Sequence, residues 1–107
     1  MRVKIVTFVP LENADDVRKA IGNAGAGQIG EYSFCSYSVI GMGRFIPSDN
    51  ANPHIGSSGV AGIVEEERIE VECDRSKAKA VINAIKSAHP YEEVVFDIYA
   101  LLEEGEL

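Results

Sequence analysis

Tryptophan is absent, cysteine and histidine occur twice each, and ten lysines and arginines face seventeen aspartates and glutamates. Each scarcity excludes something. Two thiols, Cys35 and Cys73, are too few for a disulfide framework, and neither sits in a C-x-x-C pair, which argues against a zinc knuckle. Both are expected to be small buried residues of a reduced, cytoplasmic protein. The net charge of −7 argues against a nucleic-acid partner, because phosphates need a positive stripe. The cations here are scattered, whereas acids gather at Glu65, Glu66 and Glu67 and again from Glu103 to Glu106. Anionic membrane is disfavoured on the same ground. No stretch approaches the ~18 apolar residues of a membrane span. The opening MRVKIVTFVP carries charges inside its apolar run and no small-residue cleavage site.

What remains is an ordinary globular composition, 46% hydrophobic and 25% charged over 107 residues. That length corresponds to one domain, 1–107, able to bury roughly 65% of its unfolded surface without metal or disulfide staples.

Hydrophobic periodicity orders the chain. Residues 3–9 (VKIVTFV) are β-branched and apolar, the pattern of a largely buried strand, and Pro10 stops it. Asn13 is the expected N-cap of a helix, with Asp15 and Asp16 in its first turn. Val17, Ala20, Ile21 and Ala24 recur at helical spacing. Gly25 ends the helix, and Gly27 and Gly30 mark a flexible loop. A second strand is expected over residues 32–41 and a third over 64–73. In the third, Ile69, Val71 and Cys73 alternate with Arg68, Glu70 and Glu72. Asp74 or Ser76 caps a second helix striped by Ala78, Val81, Ile82, Ile85 and Ala88. Pro90 ends it at His89. Residues 94–102 form the last strand, and the tail 103–107 is expected to be flexible. This is an α+β chain of the ferredoxin-like βαββαβ type, an antiparallel sheet with two helices on one face. The other face carries Arg68, Glu70, Glu72, Asp97 and Tyr99, yet the first and last strands are apolar on both parities. A face of that kind calls for cover, and the simplest cover is a second copy of the chain.

Residues 42–63 are too long for a hairpin turn. Gly43, Gly56 and Gly59 allow close backbone approach to an anion, although G-S-S-G-V-A-G lacks the ending of a phosphate-binding loop. The alternative is a turn-rich loop seated on a neighbouring subunit. Arg44 is either an anion ligand or a salt-bridge partner for the acids of the third strand. His54 and His89 raise a metal reading, since imidazole with carboxylate suits a divalent ion. Glu92 and Glu93 point to opposite sides of an extended segment, so only one can join His89, and His54 or another subunit would have to complete the set. The competing reading makes His89 and Tyr91 a packed helix-to-strand corner with solvated glutamates. No nucleophile with a neighbouring base is evident.

The blocks AHPYEEVVFDIY (88–99), GMGRFIP (41–47), NPHIGSSG (52–59) and VEEERIE (64–70) resemble the YqfO-type domain of the Nif-three (Ngg-one-interacting-factor-three) family, which occurs alone and as an insert in larger proteins. The likeness runs from the first strand to Leu102. It implies a CutA/PII-like fold, ferredoxin-like units that assemble as trimers, with the open face buried and the long loop reaching a neighbour. His54 stands where that pattern is expected to have Tyr or Phe. The larger relatives hold a two-metal site in segments flanking this region, so their hydrolase or cyclohydrolase activity is not expected of residues 1–107. The functional expectation is a non-enzymatic, homo-oligomeric sensor or regulatory domain binding a small molecule between subunits, through Arg44, Gly43, Gly56, Gly59, His89, Tyr91 and Glu92. The alternatives are a CutA-type divalent-metal protein using His89, Glu92, Glu93 and His54, and an enzyme whose site is completed across an interface.

Overall fold

A computed structural model describes residues 1–107. The elements run β1 (Arg2–Pro10), α1 (Ala14–Asn23), β2 (Tyr37–Phe45), β3 (Gly62–Asp74), α2 (Ala78–Ala88) and β4 (Phe96–Ala100). The sheet order is β2-β3-β1-β4, every pair antiparallel, so β1 and β3 lie in the middle. This is the expected ferredoxin-like α+β plan. The core is the layer between the helices and one face of these central strands. Val3, Ile5 and Val9 of β1 and Ile69, Val71 and Cys73 of β3 meet Val17 and Ile21 of α1 and Val81 and Ile85 of α2. Each large aliphatic side chain so buried stabilises the fold by roughly 1.5–3 kcal/mol. No helix is long and apolar enough to cross a membrane.

The helix ends follow from local chemistry. At the C-terminus of α1, Ala26 N–H donates to Ile21 O at 3.0 Å and Gly25 N–H to Gly22 O at 3.1 Å. Gly25 sits at φ +104°, so this is a Schellman cap that needs glycine. Asp74 caps the entry to α2, accepting from Ser76 N–H at 3.0 Å. His89 is extended (φ −84°, ψ 138°), as a residue before proline must be. Asn13 does precede α1 but makes no side-chain cap bond. Its Oδ1 is buried without a partner.

Several expected boundaries move. Residues 32–36 are not strand: Phe34 takes φ +57°, which no strand tolerates. The 24–36 connection is pinned rather than loose. Gly27 donates to Glu72 O at 2.8 Å and accepts from Cys35 N–H at 2.9 Å. Cys35 therefore lies in a half-exposed loop, while Cys73 is buried on β3. At their far end β2 and β3 extend four and two residues into the expected loop, which shrinks to 46–61. β4 is shorter than expected, because 91–95 has no ladder partners. Within the tail, Glu104–Glu106 is a 3₁₀ turn with a reciprocal Glu103–Glu106 capping box.

The face away from the helices is less bare than its strand pattern suggests. Val6 lies there, opposite Glu70 and Asp97, yet it is 0% exposed. Lys4 pairs with Glu70 at 3.5 Å and Arg68 with Glu70 at 3.1 Å, so charged side chains lie across the middle strands. The exposed apolar groups of this face lie at its edges, Tyr37 and Val39 of β2 and Tyr99 of β4, while Ile40 and Met42 of β2, Ile63 of β3 and Ile98 of β4 are exposed with the opposite parity.

Candidate ligand-binding cleft

On that same face the 46–61 loop folds back toward the sheet, and the 91–95 segment rises beside it. Between them lies a cleft of about 610 Å³. Phe8, Val39 and Val64 of the sheet face Phe45, Pro47, Pro53 and Ile55 of the hairpin end and loop, and Tyr91 and Val95 close the side. The loop is held in place from both ends. Asn52 N–H donates to Glu92 Oε2 at 3.0 Å, and Gly59 N–H donates to Pro47 O at 2.7 Å. The solitary chain thus roofs part of its own open face.

The polar centre of the cleft is Glu66. The β3 alternation that buries Ile69 puts Glu66 and Arg68 on the open face, opposite Gly41 and Val39 of β2. A methyl group on Gly43 would collide with Glu66 Oε1, so the G-M-G sequence leaves the space this carboxylate occupies. Glu66 Oε2 accepts from the Tyr91 hydroxyl at 2.8 Å. Burial, reinforced by that carboxylate, pushes the Tyr91 hydroxyl well above its ordinary pKa, so it stays a donor. Arg68 bonds Glu70 and places its guanidinium 5.7 Å from the Phe8 ring centroid, a distance for cation–π attraction.

The expected site residues divide. Gly43, Arg44, His54, Tyr91, Glu92 and Glu93 border the cleft. Arg44 and Gly43 are on β2 rather than in a loop. Arg44 is exposed, makes no salt bridge with the β3 acids, and sits opposite Ile63 on the other sheet face from Gly43 and Phe45. Gly56 (φ +97°) and Gly59 (φ +74°) serve turn geometry; at Gly56 the Phe45 ring approaches to 3.0 Å of where a Cβ would be.

His89 lies behind the cleft and is buried. Its Nε2 donates to Phe8 O at 2.6 Å, and its Nδ1 accepts from Tyr91 N–H at 3.1 Å. Both ring nitrogens are therefore committed to backbone, and burial lowers its pKa. No lone pair is left for a metal in this arrangement. No group of three or more His, Cys, Asp or Glu side chains in the chain is placed to hold an ion, so His89, Glu92, Glu93 and His54 do not form one ligand set here. The corner reading of H-P-Y-E-E is the one the geometry matches: His54 and Tyr91 are 6.3 Å apart, and the Tyr91 ring leans on His89 at 4.7 Å. Glu66, Phe8 and Phe45 were not expected as site residues. The available signal was G-x-G on one strand facing Glu66 and Val64 on the next, a pairing visible only once the register is known.

Comparison with known proteins decides the family. No family model matches the chain. The chain is 52% identical over 96 residues to a GTP cyclohydrolase 1 type 2 homolog of Bacillus subtilis, covering 90% of this chain and 26% of that protein. A solved Bacillus cereus protein related to NIF3 superposes with a TM-score of 0.82 at 46% identity, over 94% of this chain and 25% of that one. This is a YqfO-type domain of the Nif-three family. The chain spans about a quarter of the length of the curated relatives it matches. The fold is also that of the periplasmic divalent cation tolerance protein CutA from Archaeoglobus fulgidus (TM-score 0.71, 17% identity, 96% of this chain and 86% of that one). As a Nif-three domain with a CutA-like fold, the chain has the architecture that the H-P-Y-E-E and G-x-G-R-F-x-P blocks implied.

Proposed function

We propose that this Nif-three domain is a non-catalytic small-molecule-binding module that works as a homo-oligomer, with a trimer favoured, in the cytoplasm. The cleft carries the reading. Its volume of about 610 Å³ lies in the ~300–1,000 Å³ range of small-molecule sites, and its apolar walls with a few convergent polar groups have the composition such sites share. The chemistry nearby favours binding over catalysis. The buried histidine is tied to backbone at both nitrogens, no serine, threonine or cysteine borders the cleft, and the one hydroxyl with a carboxylate beside it, that of Tyr91, is kept protonated by its burial. The cyclohydrolase name belongs to proteins of which this chain matches about a quarter, so that reaction is not assigned to the cleft.

The test is a thermal-shift screen of nucleotides and common metabolites, repeated on Gly41→Phe. A Cβ at Gly41 meets nothing within 4 Å, so the ring enters the cleft without displacing the core. A ligand at 100 times its dissociation constant stabilises the wild type by ~2.7 kcal/mol, and Gly41→Phe abolishes that shift. Shifts that persist in Gly41→Phe would move the site elsewhere.

A further inference from the structure

The cleft has a sign as well as a shape. Glu66 stands among aromatic and aliphatic walls, and its carboxylate receives one hydrogen bond, from Tyr91, and no ion pair. Glu92 and Glu93 border the same space. Two arginines, Arg44 and Arg68, also line the cleft, but neither forms an ion pair with Glu66. Arg68 is paired with Glu70 and lies over Phe8, and Arg44 borders the cleft from a ladder position opposite Ile63, on the other parity from Gly43. A carboxylate held in an apolar cleft with one hydrogen bond and no cation is only partly compensated for the hydration it loses, and an arriving positive charge or N–H donor supplies the rest.

We infer that the cleft selects amphipathic organic cations: molecules with a flat apolar body that lies between the Phe8–Val39 floor and the Phe45–Pro53 roof, and an amidine, guanidine or amine that reaches Glu66. Anionic metabolites are disfavoured because Glu66, Glu92 and Glu93 outnumber the two arginines that line the cleft, one of which is paired with Glu70. This rests on the small-molecule reading above and adds the ligand's charge to it. Glu66 is the specificity-determining residue, and Gly43 is its enabling partner, since any side chain there drives the carboxylate out of place.

The experiment uses three probes of nearly equal shape: benzamidine (cation), benzamide (neutral) and benzoate (anion). Binding is followed by backbone amide chemical shifts of the full chain, wild type and Glu66→Gln. The expected result is a dissociation constant for benzamidine at least ~10-fold lower than for the other two, about 1.4 kcal/mol. The perturbed amides should centre on Gly41, Gly43, Glu66 and Ile55. In Glu66→Gln, which still offers an oxygen to Tyr91, the benzamidine preference collapses to about that of benzamide. Equal binding of all three probes in the cleft overturns the charge selectivity and leaves the small-molecule reading standing. Perturbation elsewhere, or none, overturns both. Should Glu66→Gln fail to fold by circular dichroism, Gly43→Ala supplies the second variant, and an undiminished benzamidine preference there overturns the role of Glu66.

Discussion

His89 shows how a single buried side chain can hold three segments together. Its Nε2–H reaches Phe8 O on β1 while its Nδ1 holds Tyr91 N–H at the start of the 91–95 segment, so α2, β1 and the cleft wall meet at one ring. Burial is the main cause of its lowered pKa; the Phe8 carbonyl and Glu66 oppose that shift, and His54 adds to it. A base whose folded pKa lies below its ordinary 6.5 binds fewer protons folded than unfolded. Its contribution is complete above pH 6.5 and drains away as pH falls toward the folded value. Urea midpoints should therefore be flat from pH 8 to 7 and fall below pH 6.5, and His89→Gln should lower the whole curve while removing its share of the acid slope. An unchanged acid slope in His89→Gln would deny the histidine that role. Tyr91→Phe removes one bond to a charged group and should cost about 1–3 kcal/mol. Glycines separate in the same way. Gly27 combines φ +85° with Cys35 backbone at 2.5 Å of a would-be Cβ, whereas Gly30 (φ +58°) has nothing within 4 Å. Gly27→Ala should cost well over 2 kcal/mol and Gly30→Ala about 1 kcal/mol, as read from denaturant unfolding.

At the scale of elements, the hairpin β2–β3 and its loop make the site. Nine consecutive pairs from Tyr37–Glu70 to Phe45–Gly62 hold the strands in register, so the ladder does not depend on the loop. Replacing residues 46–61 by Asn-Gly, a turn that suits two-residue hairpins, should leave helix and strand content and the core intact. It should also abolish ligand-induced stabilisation, because the cleft loses its roof. Loss of cooperative unfolding in that variant would show that the loop supports the fold. The strands with clean alternation, and the helices with a continuous apolar stripe, could be read from the sequence because period and burial coincide there. β2 was misplaced because its register is set by β3 across the sheet. Y-S-F-C-S looks as strand-like as S-V-I-G-M, and only the left-handed turn at Phe34 separates them. The cleft was half visible for a related reason. His54, Tyr91, Glu92 and Glu93 stood out by residue type, whereas Glu66 and Phe8 become site residues only through cross-strand neighbours.

For the whole molecule, the question is what covers the apolar surface that remains. The chain is elongated, 49 × 28 × 23 Å. Ile40, Met42 and Ile63 lie on the hairpin's helix-side face, where alternation from buried Ile69 places them, and each is more than half exposed. Contiguous apolar area of this kind marks an interaction surface, and β2 is an edge strand with unpaired backbone groups beside it. The prediction is that light scattering at micromolar concentration returns a multiple of 11.6 kDa, threefold for the favoured trimer. Substituting Ile40, Met42 and Ile63 together by glutamate should shift that mass toward the monomer with little change in circular dichroism, since none of the three belongs to the buried core. A monodisperse wild-type monomer would remove the oligomer from the proposed function but would not touch the cleft, which one chain builds alone. A wild-type oligomer left intact by the triple substitution would place the contact on other exposed apolar groups, Tyr37 and Val39 on the open face of β2 or Ile98 and Tyr99 on the β4 edge.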